Sequence, residues 1–277
     1  MSAAERKHEF VDSMRREQIL GELSFGRRLD GRKLEDYRPI EIQIGPIVKA
    51  DGSALVKVGN TTALVGVKVQ VGNPFPDTPN EGILTVNADV LPLASPYEEP
   101  GPPDEDTIEL SRVVDRGIRE SHMLDMESLA IVEGKKVYAV YVDVTVLDVD
   151  GNLFDAVSYA AVAALATTKY RKAEVKGDEV TLTEDRVQLK PKTIPVSVTT
   201  AKIGEFLVVD PNGTEEAVMD ARLTFTFDSK GRLCATQKGG TFGFTPAEIL
   251  KQVEVARLKA AENRKLLESA IKNAKKK

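Results

Sequence analysis

The 277-residue sequence has no tryptophan, one cysteine and two histidines. A single cysteine, Cys234, excludes an intramolecular disulfide. His8 and His122 lie far apart, so no His/Cys cluster with metal-ligand spacing exists and no metal site is expected on this chain. Aromatic residues are scarce at 5%, and no apolar run is long enough to cross a bilayer. Residues 1–16 are charged and lack the apolar stretch and cleavage site of a signal peptide, so the chain reads as soluble and cytoplasmic. Charge of one sign is missing too: 38 basic side chains face 43 acidic ones, a formal net charge of −5. Attraction of the whole surface to nucleic acid or anionic lipid is thereby excluded, and any polyanion site must be a local basic patch. The 42% of apolar and 29% of charged residues fit a folded domain, or two packed halves, with chain enough for a core.

Periodicity predicts a mixed α and β chain. A helix is expected over 10–23, where Phe10, Met14, Ile19 and Leu23 recur at helical spacing, and apolar positions follow over 40–48. Two β-branched runs, 53–58 and 62–71, flank Gly59-Asn60 as a hairpin requires. After a proline loop comes a strand over 82–91, then an acidic loop over 96–106 with Glu98, Glu99, Asp104, Glu105 and Asp106. A helix is expected over 107–124, and the clearest strand, 137–147, is apolar on both faces, which predicts a sheet covered on both sides. An alanine-rich helix over 153–168 follows. The charged stretch 169–190, with Gly177 inside it, is the best boundary candidate. It divides the chain into an N-terminal helical arm (1–27), a first half (28–172) and a second half with the C-terminal helix (173–277). Strands are predicted over 194–200, 206–209, 223–227 and 233–236. A last helix opens on the capping box Thr245-Pro246-Ala247-Glu248 and buries Ile249, Leu250, Val253, Ala256 and Ala260, before a lysine tail over 272–277.

Three features could carry chemistry. The run Gly239-Gly240-Thr241-Phe242-Gly243 lacks the lysine and hydroxyl of a P-loop, so a turn is the preferred reading. Asp210, Glu215, Glu216 and Asp220 fall in one loop and could serve a metal or acid/base chemistry, but Pro211-Asn212-Gly213 favours a turn with solvated charges. His122 has no evident partner. Arg112, Arg116 and Arg119 lie along one stripe of a helix, where guanidiniums can hold phosphates in bidentate fashion. The rival reading pairs them internally, Asp115 with Arg119, Arg116 with Glu120 and Glu109 with Arg112. Exposed pairs of that kind contribute about 0.3–0.5 kcal/mol each, too little to hold an arginine against a phosphate. Composition leaves the two readings even.

Several motifs in order resemble the RNase PH family. They are Asp30-Gly31-Arg32 with Tyr37-Arg38-Pro39-Ile40, then Ala50-Asp51-Gly52-Ser53-Ala54 with Gly59-Asn60-Thr61. The block from Glu99-Pro100-Gly101-Pro102-Pro103-Asp104-Glu105 into Ile108-Glu109-Leu110-Ser111-Arg112-Val113-Val114-Asp115-Arg116 is more specific. With Val209-Asp210-Pro211 and Glu215-Glu216 it is similar to the non-catalytic RNase PH-like subunits of the archaeal exosome, over residues 25–267. The resemblance implies an α+β, ribosomal protein S5 domain 2-like fold of two packed β–α halves. It also implies a hexameric ring of three heterodimers with a catalytic RNase PH-like sister, capped by subunits bearing S1 and KH or zinc-ribbon domains. Single-stranded RNA threads such a ring and is degraded from its 3′ end by phosphorolysis. Inorganic phosphate and magnesium would then belong to the partner's active site, with no cofactor on this chain.

Active family members carry a phosphate-binding arginine after the central strand. The corresponding stretch here, Asp150-Gly151-Asn152-Leu153-Phe154-Asp155, lacks it, and Asp155 is expected to repel phosphate. Active members also place two aspartates six residues apart, where this chain has Asp210 and Glu216. No catalytic residue is therefore expected, while the resemblance assigns Arg112 and Arg116, with Arg119 as a weaker third, to RNA phosphates. A self-sufficient phosphorolytic ribonuclease using Asp210 and Glu216 is the alternative. A small-molecule kinase on an S5-like fold is a further one, disfavoured by the missing Gly-rich ATP loop.

Overall fold

The structure, a computed structural model, describes residues 3–96, 100–176 and 179–274. Glu98, Glu99, Gly177 and the last lysines, 275–277, lie outside the described residues, as do the side chains of His8 and Phe10. Helix α1 (Ala3–Ser24) leads into β1 (Ile40–Ile44), β2 (Gly52–Val58), β3 (Thr61–Gly72) and β4 (Ile83–Val90). Next come α2 (Glu105–Glu120), β5 (Ala130–Val132), β6 (Lys136–Asp148) and α3 (Leu153–Thr167). After β7 (Lys169–Lys176) and β8 (Glu179–Gln188), the second half runs β9 (Val196–Ile203), β10 (Phe206–Val209), α4 (Gly213–Glu216), β11 (Ala221–Phe227), β12 (Leu233–Gly240) and α5 (Pro246–Ala274). The first sheet has the order β1-β2-β3-β6-β4, with β5 beside β6; the second has the order β10-β9-β11-β12. Among the described residues, the β4–β6 pair is parallel and the other strand pairs are antiparallel.

Alternation explains which side of each strand is buried. The β2–β3 hairpin turns at Gly59-Asn60, with Val58 opposite Thr61 and Gly59 in the left-handed region at φ +59°. Ala54, Val56, Ala63 and Val65 are fully buried on its inner face. Helix α3 lies on that face and touches β2, β3 and β9, so it is the layer shared by both halves. It is buried on all sides because it is built of small residues: Ala156, Ala160, Ala161, Ala163, Ala164 and Ala166 have no exposed surface. Its last turn approaches β2 so closely that a Cβ on Gly52 would sit 2.6 Å from the Ala164 carbonyl oxygen.

Two expectations are corrected. The sheet is not covered on both sides of β6. Val140, Val142, Val144 and Val146 face α3, but Asp143 on the opposite face is exposed and Tyr141 and Thr145 are half-buried. The apolar composition of the strand hid this, because one face needs only partial cover to tolerate valines, threonine and tyrosine. In α5 the capping box is present: the Thr245 backbone N–H donates to Glu248 at 2.6 Å and the Glu248 N–H donates to Thr245 Oγ1 at 3.2 Å. Its buried face, however, holds Gln252, Ala256, Ala260, Asn263, Arg264, Leu267 and Ile271, while Ile249 and Leu250 are 38% and 67% exposed. Polar residues take the inner positions because each has a partner. Gln252 accepts from Thr200, Asn263 donates to the Tyr159 hydroxyl at 2.9 Å, and Arg264 donates to the carbonyls of Ile194 and Phe227, both at 2.9 Å. The charged stretch 169–190 folds as the antiparallel β7–β8 hairpin, anchored by Tyr170 edge-on to Tyr138 at 4.8 Å. A division between residues 172 and 173 falls within β7. Among the described residues, no helix is long and apolar enough to cross a membrane.

Because the Ala164 carbonyl oxygen and the Thr168 Cα, both backbone, lie within 3 Å of that Cβ and cannot yield without moving backbone, Gly52→Ala is expected to destabilise the chain by about 1–3 kcal/mol. Urea unfolding of the purified chain measures this; an unchanged midpoint would show that α3 does not rest on β2 so tightly.

Candidate nucleic-acid interface

Helix α2 begins at Asp104, whose carboxylate accepts from the Thr107 N–H at 2.8 Å, and acids in its first turn suit the helix dipole. Thr107, Leu110, Val114, Gly117 and Ile118 are its buried side. Gly117 brings the helix against β11: a Cβ there would meet Thr226 Oγ1 at 3.4 Å. The helix thus lies across the β4 edge of one sheet and the β12 edge of the other. Arg112 and Arg116 point outward, and both line the grooves on either side. The larger, about 370 Å³, has Thr224, Thr226, Thr236 and Gln237 from β11 and β12 opposite Ile108 and Val113. The smaller, about 310 Å³, runs along Leu84, Thr85 and Val86 of β4.

Of the three internal pairs that composition allowed, one forms. Arg119 donates to Asp115 at 2.9 and 3.1 Å and to the Leu84 carbonyl at 3.2 Å, and the Asp115 bond raises its pKa. Glu109 turns away from Arg112 to Arg222 of β11, at 2.5 Å, and accepts from Gln237 of β12 at 2.8 Å. Among the described residues, no hydrogen bond or ion pair reaches Arg112 or Arg116. Arg222 and Gln237 carried no local signal, since they lie more than a hundred residues from Glu109 along the chain.

The carboxylate loop departs from the solvated turn that its Pro-Asn-Gly sequence predicts. Asp210 is fully buried and Glu215 is 2% exposed. One oxygen of Asp210 accepts from Arg38 Nη2 at 2.8 Å and Asn152 Nδ2 at 2.7 Å. The other accepts from Arg38 Nε and Arg32 Nη1, and from the Arg38 backbone N–H, each at 2.9 Å. Glu215 pairs with the buried Arg28, whose Nε lies 2.7 Å from Oε1. Glu216 accepts from the Asn152 N–H at 2.7 Å. Asp220 goes elsewhere and ties Arg16 of α1 to the second half at 2.9 Å. Burial pushes the Asp210 carboxyl upward, but the hydrogen bonds and charge of Arg38 outweigh it and hold the group below the ordinary aspartate value.

Asp155 is also corrected. It faces inward and accepts from the Tyr37 hydroxyl at 2.7 Å, Asn152 Nδ2 at 2.8 Å and the Thr199 N–H at 3.0 Å, so it screens no open site. Burial pushes its pKa up to about 6. His122 is exposed in a left-handed turn after α2. Gly239 and Gly240 are corrected from a turn to the last two strand residues of β12, paired with Arg222 and Ala221, with Gly240 at φ +81° and a bend following at Thr241-Phe242. Among the described residues, no group of three or more His, Cys, Asp or Glu side chains could hold a metal ion.

Known proteins resemble nearly the whole chain. Residues 36–171 match the 3′ exoribonuclease family, domain 1 (RNase PH), and residues 193–258 match domain 2 of that family. An exosome complex component Rrp42 from Pyrococcus horikoshii is 52% identical over 269 residues, covering 96% of this chain and 98% of its own. One from Methanopyrus kandleri is 51% identical over 265 residues, covering 95% and 99%. A chain of the Archaeoglobus fulgidus exosome with RNA bound to the active site superposes with a TM-score of 0.85 at 43% identity, covering 92% of this chain and 98% of that one. Rice (Oryza sativa) Rrp46, at 16% identity and a TM-score of 0.66 over 88% and 100% of the two chains, shares the fold alone.

Removing the central carboxylate leaves buried arginines uncompensated, so Asp210→Ala is expected to cost about 3–5 kcal/mol in urea unfolding. A loss below about 1 kcal/mol would mean that the cluster contributes little. Asp155 has the opposite sign of pH dependence. Between its ordinary value of 3.8 and about 6, the folded chain holds a proton that the unfolded chain releases. Its contribution to stability therefore falls as pH rises through that window and is level above it. The melting temperature of wild type minus that of Asp155→Asn should decline from about pH 4 to about pH 6; a difference that grows with pH would contradict this.

Proposed function

The chain belongs to the 3′ exoribonuclease (RNase PH) family, and from that premise we propose that it is the non-catalytic, RNA-contacting subunit of an archaeal exosome. In this reading three copies alternate with three catalytic RNase PH-like sisters in a cytoplasmic hexameric ring, under a cap with S1 and KH or zinc-ribbon domains. The ring shortens single-stranded RNA from its 3′ end: orthophosphate attacks the terminal phosphodiester and a nucleoside diphosphate leaves. Phosphate and magnesium act in the sister's site. This chain supplies Arg112 and Arg116, which bind the backbone phosphates of the incoming strand and help to hold its end in place. Arg119, the weaker third candidate, is not needed for that contact, because its guanidinium is already bonded to Asp115 and to the Leu84 carbonyl. Phosphate contacts carry no base information, which suits an enzyme that must accept every sequence.

The observation that carries the reading is the contrast between two sets of arginines. Arg112 and Arg116 are exposed and without partners among the described residues, whereas Arg38 and Arg32 are bound to Asp210. Phosphoryl transfer depends on positioning and charge neutralisation. A carboxylate with both oxygens occupied by this chain's own arginines supports a silent site, as does the absence of a phosphate-holding arginine from Asp150-Gly151-Asn152-Leu153-Phe154-Asp155.

Arg112→Glu/Arg116→Glu is expected to weaken RNA binding by the assembled complex about ten- to a hundredfold, the scale of lost charge-assisted contacts. Ring assembly should be unchanged by size-exclusion chromatography. Equal affinity in the double variant would remove the assigned role. The purified chain alone should release no nucleoside diphosphates from RNA and phosphate; release would establish the self-sufficient ribonuclease instead.

A further inference from the structure

We infer that Arg222 and Arg119 are positioning residues for the RNA-binding ridge: they hold Glu109 and Asp115 away from Arg112, which keeps that end of the ridge cationic and open. The inference rests on the proposed contact of Arg112 and Arg116 with RNA phosphates. On a helix, side chains three or four positions apart are neighbours. Glu109 is three residues before Arg112, and Asp115 is three after it, so either carboxylate can reach the Arg112 guanidinium and repel an approaching phosphate.

The structure diverts both. Arg222 and Gln237, from the second sheet, take one oxygen each of Glu109, at 2.5 and 2.8 Å. Arg222 is itself fixed: its guanidinium carbon lies 4.4 Å from the centre of the Phe154 ring, and it pairs in register with Gly239. A Cβ on Gly239 would come within 2.7 Å of that same carbon, so a glycine there is what lets the guanidinium lie across β12 toward Glu109. The side chains of Arg222 and Glu109 are 15% and 25% exposed. In that partly dry setting a carboxylate that lost Arg222 would take the next cation within reach, Arg112, more firmly than an exposed pair does. On the other side of the ridge, Arg119 grips Asp115 with two bonds and is anchored by the Leu84 carbonyl, which draws that carboxylate toward β4.

The test measures affinity for a labelled single-stranded RNA by the complex of this chain with its RNase PH-like partner, in phosphate-free buffer so that no phosphorolysis occurs. Arg222→Met and Arg119→Met should each weaken binding roughly threefold to tenfold, with the loss shrinking as salt screens the freed carboxylate. Adding Glu109→Gln to the first and Asp115→Asn to the second should bring affinity back to within about twofold of wild type. Unchanged binding in the single variants would overturn the inference, and so would double variants as weak as the singles, the result expected if Arg222 or Arg119 touches RNA or merely supports the fold. Should Arg222→Met fail to fold by its melting curve, the exposed Arg119–Asp115 arm decides alone. The Arg112→Glu/Arg116→Glu variant runs beside them: if it binds as wild type does, the phosphate-contact reading has failed, not the positioning of carboxylates.

Discussion

Arg38 and Asp210 meet where the two halves of the chain join, and their pairing fixes much that surrounds them. Both are buried, so the ion pair costs desolvation that only complete hydrogen bonding offsets. Asp210 achieves this with two bonds from the Arg38 side chain, one from its backbone N–H, one from Arg32 and one from Asn152. Arg38 in turn donates to the carbonyls of Asp150, Gly151 and Pro211. The segment before β1 is thereby locked against the turn after β10 and the start of α3. Since α3 is the layer that both sheets and α2 rest on, the cluster sets the platform beneath the arginine ridge.

One residue type serves two opposite ends in this molecule. In the buried cluster, guanidiniums neutralise Glu215 and Asp210 within the chain, and both oxygens of Asp210 are taken. On α2, the two carboxylates three residues from Arg112, Glu109 and Asp115, are bound elsewhere, and Arg112 and Arg116 keep their charges for a polyanion. Geometry decides the difference: Arg38 arrives beside Asp210 from a distant segment, whereas Arg112 and Arg116 project from a helix whose Glu109 and Asp115 are held by Arg222 and Arg119. A chain of net charge −5 can thus carry a local cationic track.

Features governed by neighbours in sequence were legible before the fold was known. The β2–β3 hairpin follows from Gly59-Asn60 between alternating runs, the α5 start from its capping box, and the existence of α3 from its alanine-rich run. Contacts across the chain were not legible. Pro211-Asn212-Gly213 predicts exposure of its acids; burial came from Arg28, Arg32 and Arg38, supplied more than 170 residues earlier. The Asp30-Gly31-Arg32 and Tyr37-Arg38 motifs marked those residues as part of a family pattern without saying what they hold. The inner face of α5 escaped apolar periodicity for the same reason, because Gln252, Asn263 and Arg264 are made tolerable by partners on other elements.

The central claim is that Asp210 is closed to phosphate by this chain's own arginines. Titration of orthophosphate into the purified chain, followed by the ³¹P NMR line width, tests it most directly. The expected result is no saturable broadening. Saturable broadening that is absent from a folded Arg38→Lys variant would contradict the claim, since it would place a working phosphate seat where the structure has an internal ion pair.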